Sequence, residues 1–320
     1  MRGFIAVLCT ALLLLTGCSS HYTDGKLKNA GILIEDTIAD QGWGTKGYKG
    51  LLAIQEEFEN DVYYEENIKS REQAIKAVEE FKKNGVNLIF GHGKVFAEYF
   101  QALSKDYPAI HFVSFNGSAE GKNETSLTFS SYAMGFFAGM VAAEVSKTHQ
   151  AAVIGAMKWQ PELQGFKDGA NYANDETMVH TNFVNSWSDK EKALIMFDEM
   201  LEKNADVFYP AGDGFAIPII EKAKEKERFA IGYVSDHSDI GKAAVLTSTV
   251  QHVDKLYLLA AKRFNDGKLK SGNLSFDFKD EVVALGKFSP VVNKKFEKKM
   301  RSHIDKYKKT GKLPNGEQPK

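Results

Sequence analysis

Two histidines sit where proton-transfer chemistry would be expected. His92 in "GHGK" and His237 in "SDHSD", flanked by Asp236 and Asp239, each follow a short apolar run, at a strand end where acid–base groups gather. Neither lies in a metal-ligand spacing. A loop histidine bonded to backbone, and turn acids capping their own loop, are the simpler readings. No G-x-G-x-x-G follows the first apolar run, and G-x-x-x-x-G-K-[ST] and G-x-S-x-G are absent, so no dinucleotide, P-loop nucleotide or nucleophile elbow is indicated. The sequence gives no cofactor, metal or catalytic set.

Residues suited to holding a flat ligand are better represented. Trp43 in "DQGWGTKG", Asn116 in "SFNG", Trp159 in "MKWQP", and Asp213 with Phe215 in "AGDGFA" all fall at ends of apolar runs. Aromatic faces stack on planar ligands, at roughly 1 to 3 kcal/mol per base in nucleic-acid cases. A packed loop aromatic is the alternative for each ring.

Cys18 carries a different chemistry. An apolar run from Phe4 to Leu15 behind Arg2 is too short to cross a bilayer, and it ends in Leu15-Thr16-Gly17-Cys18. That pattern resembles the bacterial lipobox, which implies a signal peptide over 1–17, lipid on Cys18, a tether over 18–28 and an extracytoplasmic, membrane-anchored protein. Two acyl chains make a stable anchor. With Cys9 in the signal, no second cysteine remains for a disulfide.

The rest of the chain has ordinary globular composition, 43% apolar and 26% charged, with net charge -1. So balanced a charge offers no broad field for phosphate backbones, and direct nucleic-acid binding is not expected. The basic stretch from Lys294 to Lys312 spaces Phe296, Met300, Ile304 and Tyr307 as the dry stripe of a helix, leaving its lysines as the wet face.

Positioning the candidate residues requires alternating elements. From "AGILIED" onward, short apolar runs alternate with amphipathic helical stretches, the pattern of parallel βαβ units covered on both faces. Ser70 and Gln73 form a capping box before the second helix. After "SYAMGFFAGMVAAEVSKTHQ", whose Ala133, Gly135, Ala138, Gly139, Ala142 and Ala143 permit close helix packing, the alternation restarts. Two such series predict two α/β lobes: 29–128 with 247–273, and 129–246 with 274–320. The strand "AAVLTSTVQ" and the helix after it would return to the first lobe, and ligands of open α/β sheets sit at carboxyl ends of strands.

"GILIEDTIADQGWGTKGYKGL", "SYAMGFFAGMVAAEVSKT", "AGDGFAIPII", "IGYVSD" and "VLTSTVQHVD" together resemble the basic membrane lipoproteins, the purine nucleoside receptor A-like substrate-binding proteins of ABC importers. "WGTKGYKGLL", "YPAGDG" and "VLTSTVQ" look like the Med-type regulatory lipoproteins, which carry a label of positive control of competence transcription. The resemblance implies a type I periplasmic-binding fold with three crossovers, usually monomeric, binding a small planar ligand and docking on an ABC permease or another membrane regulator. It places Trp43 at a stacking position, Phe215 in the segment supplying the other stacking face, and Asp36 and Asp236 near the cleft. Gly44, Val234 and Gln251 stand where the family has Asn, Asp and Lys. Three readings stay open: a nucleoside-type importer receptor, an indirect regulator on the same scaffold, and an enzyme.

Overall fold

The computed structural model describes residues 26–39 and 42–319. The signal peptide, Cys18 and most of the tether lie outside these residues.

The first sheet is built from β1 (Asn29–Ile34), β2 (Val62–Glu65), β3 (Val86–His92), β4 (His111–Phe115), β5 (Glu124–Phe129) and β11 (Gly272–Phe276), all parallel, in the order β11-β5-β4-β3-β1-β2. Helices α1 (Trp43–Phe58), α2 (Arg71–Lys83), α3 (Val95–Leu103) and α8 (Val253–Asn265) flank it. The second sheet holds β6 (Gln150–Gly155), β7 (Met178–Phe183), β8 (Val207–Ala211), β9 (Phe229–Val234), β10 (Val245–Gln251) and the short β12 (Val283–Leu285), in the order β12-β10-β9-β8-β6-β7. Its last pairing, β10 with β12, is antiparallel. Around it lie α4 (Ser131–Val145), α5 (Pro161–Ala173), α6 (Lys190–Glu202), α7 (Asp213–Glu225) and α9 (Lys294–Thr310). Strands buried on both faces explain the near-continuous apolar runs, for β1, β4, β8 and β10 show almost no exposed residue.

The chain crosses between sheets three times, after Phe129, after Gln251 and after Phe276. Ser130 N donates to Phe276 O at 2.7 Å and His252 N to Val282 O at 2.8 Å, so the crossing segments are bonded to one another. One expected boundary moves. β10 lies wholly in the second sheet, paired with β9, and only α8 returns to the first, where it packs on α1. The second crossing therefore follows Gln251 rather than Leu246, and β11 extends the first lobe to Phe276.

Local signals act as read. Ser70 Oγ accepts from Gln73 N, and Gln73 Oε1 accepts from Ser70 N, closing the box on α2. In α9, Phe296, Met300 and Tyr307 are buried while the lysines stay wet. Helix α4 is apolar on all sides, and every residue from Ser131 to Ala143 is buried. It crosses α5 at four glycines. A Cβ on Gly135 would lie 2.0 Å from Glu162 O, on Gly139 2.0 Å from Phe166 O, on Gly165 2.1 Å from Tyr132 O and on Gly169 1.9 Å from Phe136 O.

His111, 4% exposed at the start of β4, meets Thr125 Oγ1 through Nε2 at 2.8 Å. Burial pulls its pKa down to about 4. A histidine held neutral by the fold contributes stability above its unfolded value near 6.5, lost as pH falls toward 4, because the unfolded chain then binds the extra proton. The shift predicts a loss of roughly 3 kcal/mol across that window. Urea unfolding at pH 7 and pH 4 checks it: His111→Gln should be less acid-sensitive than the parent chain by about that amount. Equal acid sensitivity would refute it.

Candidate functional site

Lys46, at the carboxyl end of the first sheet, makes a direct contact with strand ends of the second. This residue sits in the first turn of α1, and its Nζ donates to Val234 O at 2.6 Å and to Gln251 O at 3.1 Å, the ends of β9 and β10. Burial is the largest influence on its pKa and lowers it to about 8, against Asp213 and Asp254, whose charges raise it, and Lys49, which lowers it further. Some 188 residues separate Lys46 from Val234 in sequence. A second contact crosses nearby, where Lys94 Nζ of the first lobe lies 5.4 Å above the ring centroid of Trp159.

Trp43, the first residue of α1, is part-buried. Its ring stacks on His92 at 4.4 Å and 14°, with edge contacts to Phe115 at 6.0 Å and Phe129 at 6.3 Å. His92 Nε2 lies 2.6 Å from Trp43 O and Nδ1 2.8 Å from the Tyr257 hydroxyl. A carbonyl only accepts, so Nε2 carries a proton and donates to Trp43 O, while Nδ1 meets the Tyr257 hydroxyl. Burial holds that phenol well above its usual range, so it stays a donor. His92 is thus the prop that ties α1 to α8 rather than an acid–base group.

The floor on the second lobe is polar and closed. Glu162, 4% exposed at the start of α5, accepts at Oε1 from Gln160 Nε2 at 2.9 Å and from the Tyr233 hydroxyl at 3.2 Å. Gln160 Oε1 accepts from Met157 N at 2.7 Å. Thr249 Oγ1 gives its one hydrogen to Gly232 O at 3.0 Å, so Tyr209, 3.2 Å away, donates to Thr249. Burial, then the Glu162 charge, keeps both tyrosines protonated. These groups are buried and bonded to one another, so on this second-lobe wall it is the Val234 and Gln251 carbonyls that serve as acceptors for Lys46.

The expected site residues divide. Gln251 meets Lys46 through its carbonyl and Asp213 lies within electrostatic range of the same ammonium, while Trp43, three residues before Lys46 on α1, packs on His92. Asn116 is exposed at the end of β4 with φ +58°, and Trp159, 56% exposed, meets Trp187 edge-on at 6.0 Å. Asp36 points to solvent and pairs with Lys69 on the outer rim. Asp236 spends Oδ1 on Ser238 N at 3.0 Å and Oδ2 on Lys287 N at 3.1 Å; burial raises its pKa, but those backbone donors outweigh it and hold it low. It caps a loop. His237 likewise bonds backbone, Nε2 to Tyr233 O at 3.1 Å.

Phe215 corrects the expectation outright. It is 0% exposed in the core of the second lobe beside Ile154, Phe197 and Phe208, and its ring fills the place a Cβ on Gly212 would take, at 2.1 Å. It offers no stacking face to a ligand. Periodicity held the signal, since Phe215, Ile219, Ile220 and Ala223 form the buried stripe of α7.

The family described as "ABC transporter substrate-binding protein PnrA-like" matches residues 27–317. The "Transcriptional activator protein med" of Bacillus subtilis is 47% identical over 313 residues, 98% of this chain and 99% of its own. A crystal structure titled as a transcriptional activator of the comK gene from Bacillus halodurans superposes with TM-score 0.85 at 50% identity, over 89% of this chain and 99% of that one. The "ABC transporter nucleoside-binding protein BmpA" of Lactococcus lactis is 25% identical over 317 residues, 88% of this chain and 89% of its own.

Proposed function

This chain belongs to the PnrA-like family of ABC transporter substrate-binding proteins, and from that premise we propose that it is a lipid-anchored extracytoplasmic receptor closing two lobes on a small planar ligand of nucleoside type. The fold is that of type I periplasmic solute-binding proteins, and a substrate-binding family sets the enzyme reading aside. The observation that supports the proposal is Lys46, whose bonds to the Val234 and Gln251 carbonyls tie the start of α1 in the first lobe to the ends of β9 and β10 in the second. Trp43 and Asn116 would meet the ligand from the first lobe, and Asp213 and Gln251 from the second. Hinge motion would run through the three bonded crossings. The anchor is Cys18, and the partner that senses closure is an ABC permease.

A second reading has its own support. Identity of 47% and 50%, over nearly the whole chain, is to proteins named as transcriptional activators. On this reading the same lobes report through another membrane protein, and the effect on competence transcription is indirect, because an anchored extracytoplasmic protein does not reach a promoter. Titrating the purified full chain with purine and pyrimidine nucleosides, by tryptophan fluorescence and calorimetry, separates the two. Micromolar binding is the expected result of the receptor reading. No heat and no spectral change at millimolar nucleoside, in a folded protein, would remove the nucleoside and leave the regulator.

A further inference from the structure

Lys46 stands in an unfavourable place unless it is doing something there. The amino end of a helix is the positive end of its dipole, yet α1 begins on Gly42, has no acid in its first turn and carries this lysine instead. The side chain is drawn across the cleft and its hydrogen bonds go to two carbonyls, Val234 O and Gln251 O, in the fields of Asp213 and Asp254, with Lys49, His237 and His252 also within electrostatic range. Val234 itself is unusual. It is β-branched with φ +62°, in a tight turn closed by Ser235 N donating to Tyr233 O at 2.7 Å, and its carbonyl is the one nearest the ammonium. Backbone held in that region at a functional edge is strain retained by its surroundings.

We propose that the cleft carries its own ligand: the Lys46 ammonium, tethered to the first lobe, occupies a primary-ammonium site formed by the Val234 and Gln251 carbonyls at the strand ends of the second lobe, in the fields of Asp213 at the start of α7 and Asp254 at the start of α8, and latches the lobes closed. The proposal rests on the reading that the lobes open and close. A solute entering the cleft has to displace Lys46, so the latch lowers the fraction of receptor competent to bind and weakens apparent affinity by that fraction. The wall selects N–H donors, and the free species it fits is an alkylammonium.

The test uses the full chain and two variants, Lys46→Met and Lys46→Ala, read by solution X-ray scattering and by hydrogen exchange in the segments 231–237 and 246–253. Lys46→Met keeps an unbranched stem one atom shorter and loses the donors. It is expected to raise the radius of gyration and to speed exchange there roughly tenfold or more, as protection from closure is lost. In Lys46→Ala, n-propylammonium replaces the missing atoms and should restore compactness, whereas tetramethylammonium, which has no N–H, should not. A Lys46→Met chain as compact and as protected as the parent overturns the latch, and equal rescue by both cations overturns the site. Circular dichroism establishes folding; should Lys46→Met not fold, Asp213→Asn with Asp254→Asn is read the same way and must loosen the same segments. Nucleoside titration of Lys46→Met keeps the two proposals apart. Opening without nucleoside binding leaves the latch and removes the nucleoside reading, while nucleoside binding without opening does the reverse.

Discussion

Gly139→Ala is expected to destabilise the chain by about 3 kcal/mol, enough to remove much of the stability of an ordinary domain. Two effects oppose each other at this position. Alanine in a helix interior gains about 1 kcal/mol over glycine by propensity alone. Against it, the new methyl would lie 2.0 Å from Phe166 O and 2.8 Å from Ala170 N, backbone atoms of α5 that cannot turn aside as a side chain could. Relief requires moving the helices apart, and Gly135, Gly165 and Gly169 interlock in the same way with Glu162, Tyr132 and Phe136 carbonyls, so the whole crossing would shift. Among the described residues the contact is the most extensive between two elements, and α4 is buried on every side from Ser131 to Ala143. Urea unfolding gives the number directly. A Gly139→Ala chain at least as stable as its parent would mean that propensity decides and that the close approach carries no weight.

Half of that crossing was legible in the sequence, because Gly135 and Gly139 stand four apart among the small residues of α4; that Gly165 and Gly169 on α5 answer them is shown by the structure. The cap of α2 and the dry stripe of α9 were legible for similar reasons, being local patterns whose partners lie within a few residues. Long-range placement was not. The run before α8 is a buried strand in either sheet, and nothing in "AAVLTSTVQ" says which open edge it joins; β9 offered the partner. Lys46 was invisible for the same reason. It reads as one of two solvated lysines on α1, and its partners lie 188 and 205 residues away. The one available hint was its position in a first turn without acids. Trp43, by contrast, was found by type, yet what it touches was not, since the stacking partner His92 belongs to the end of a different strand.

Trp43→Ala is the second large effect, and its direction is the same for stability and for binding. The ring stacks on His92 and touches Phe115 and Phe129 edge-on, and the backbone of the same residue receives the His92 Nε2 hydrogen. Truncating a packed Trp typically costs about 3 to 5 kcal/mol, and partial exposure puts this site near the lower figure, about 3 kcal/mol. A lost ligand signal in that variant therefore does not by itself identify a stacking residue. Trp43→Phe separates the roles, for it keeps a ring on His92 and should retain most of the stability. Imidazole covers one face of the indole, so a base stacked on the opposite face would complete a three-layer stack of His92, Trp43 and ligand. Replacing Trp159 and Trp187 by Phe leaves Trp43 as the reporter. If Trp43 contacts the ligand, nucleoside then changes its emission, and Trp43→Phe weakens binding several-fold while the urea midpoint moves little. Unchanged affinity in Trp43→Phe, with Trp43→Ala losing stability alone, would assign the ring to the first lobe's core and move the binding face to the second-lobe wall of Asp213, Gln251 and the strand-end carbonyls.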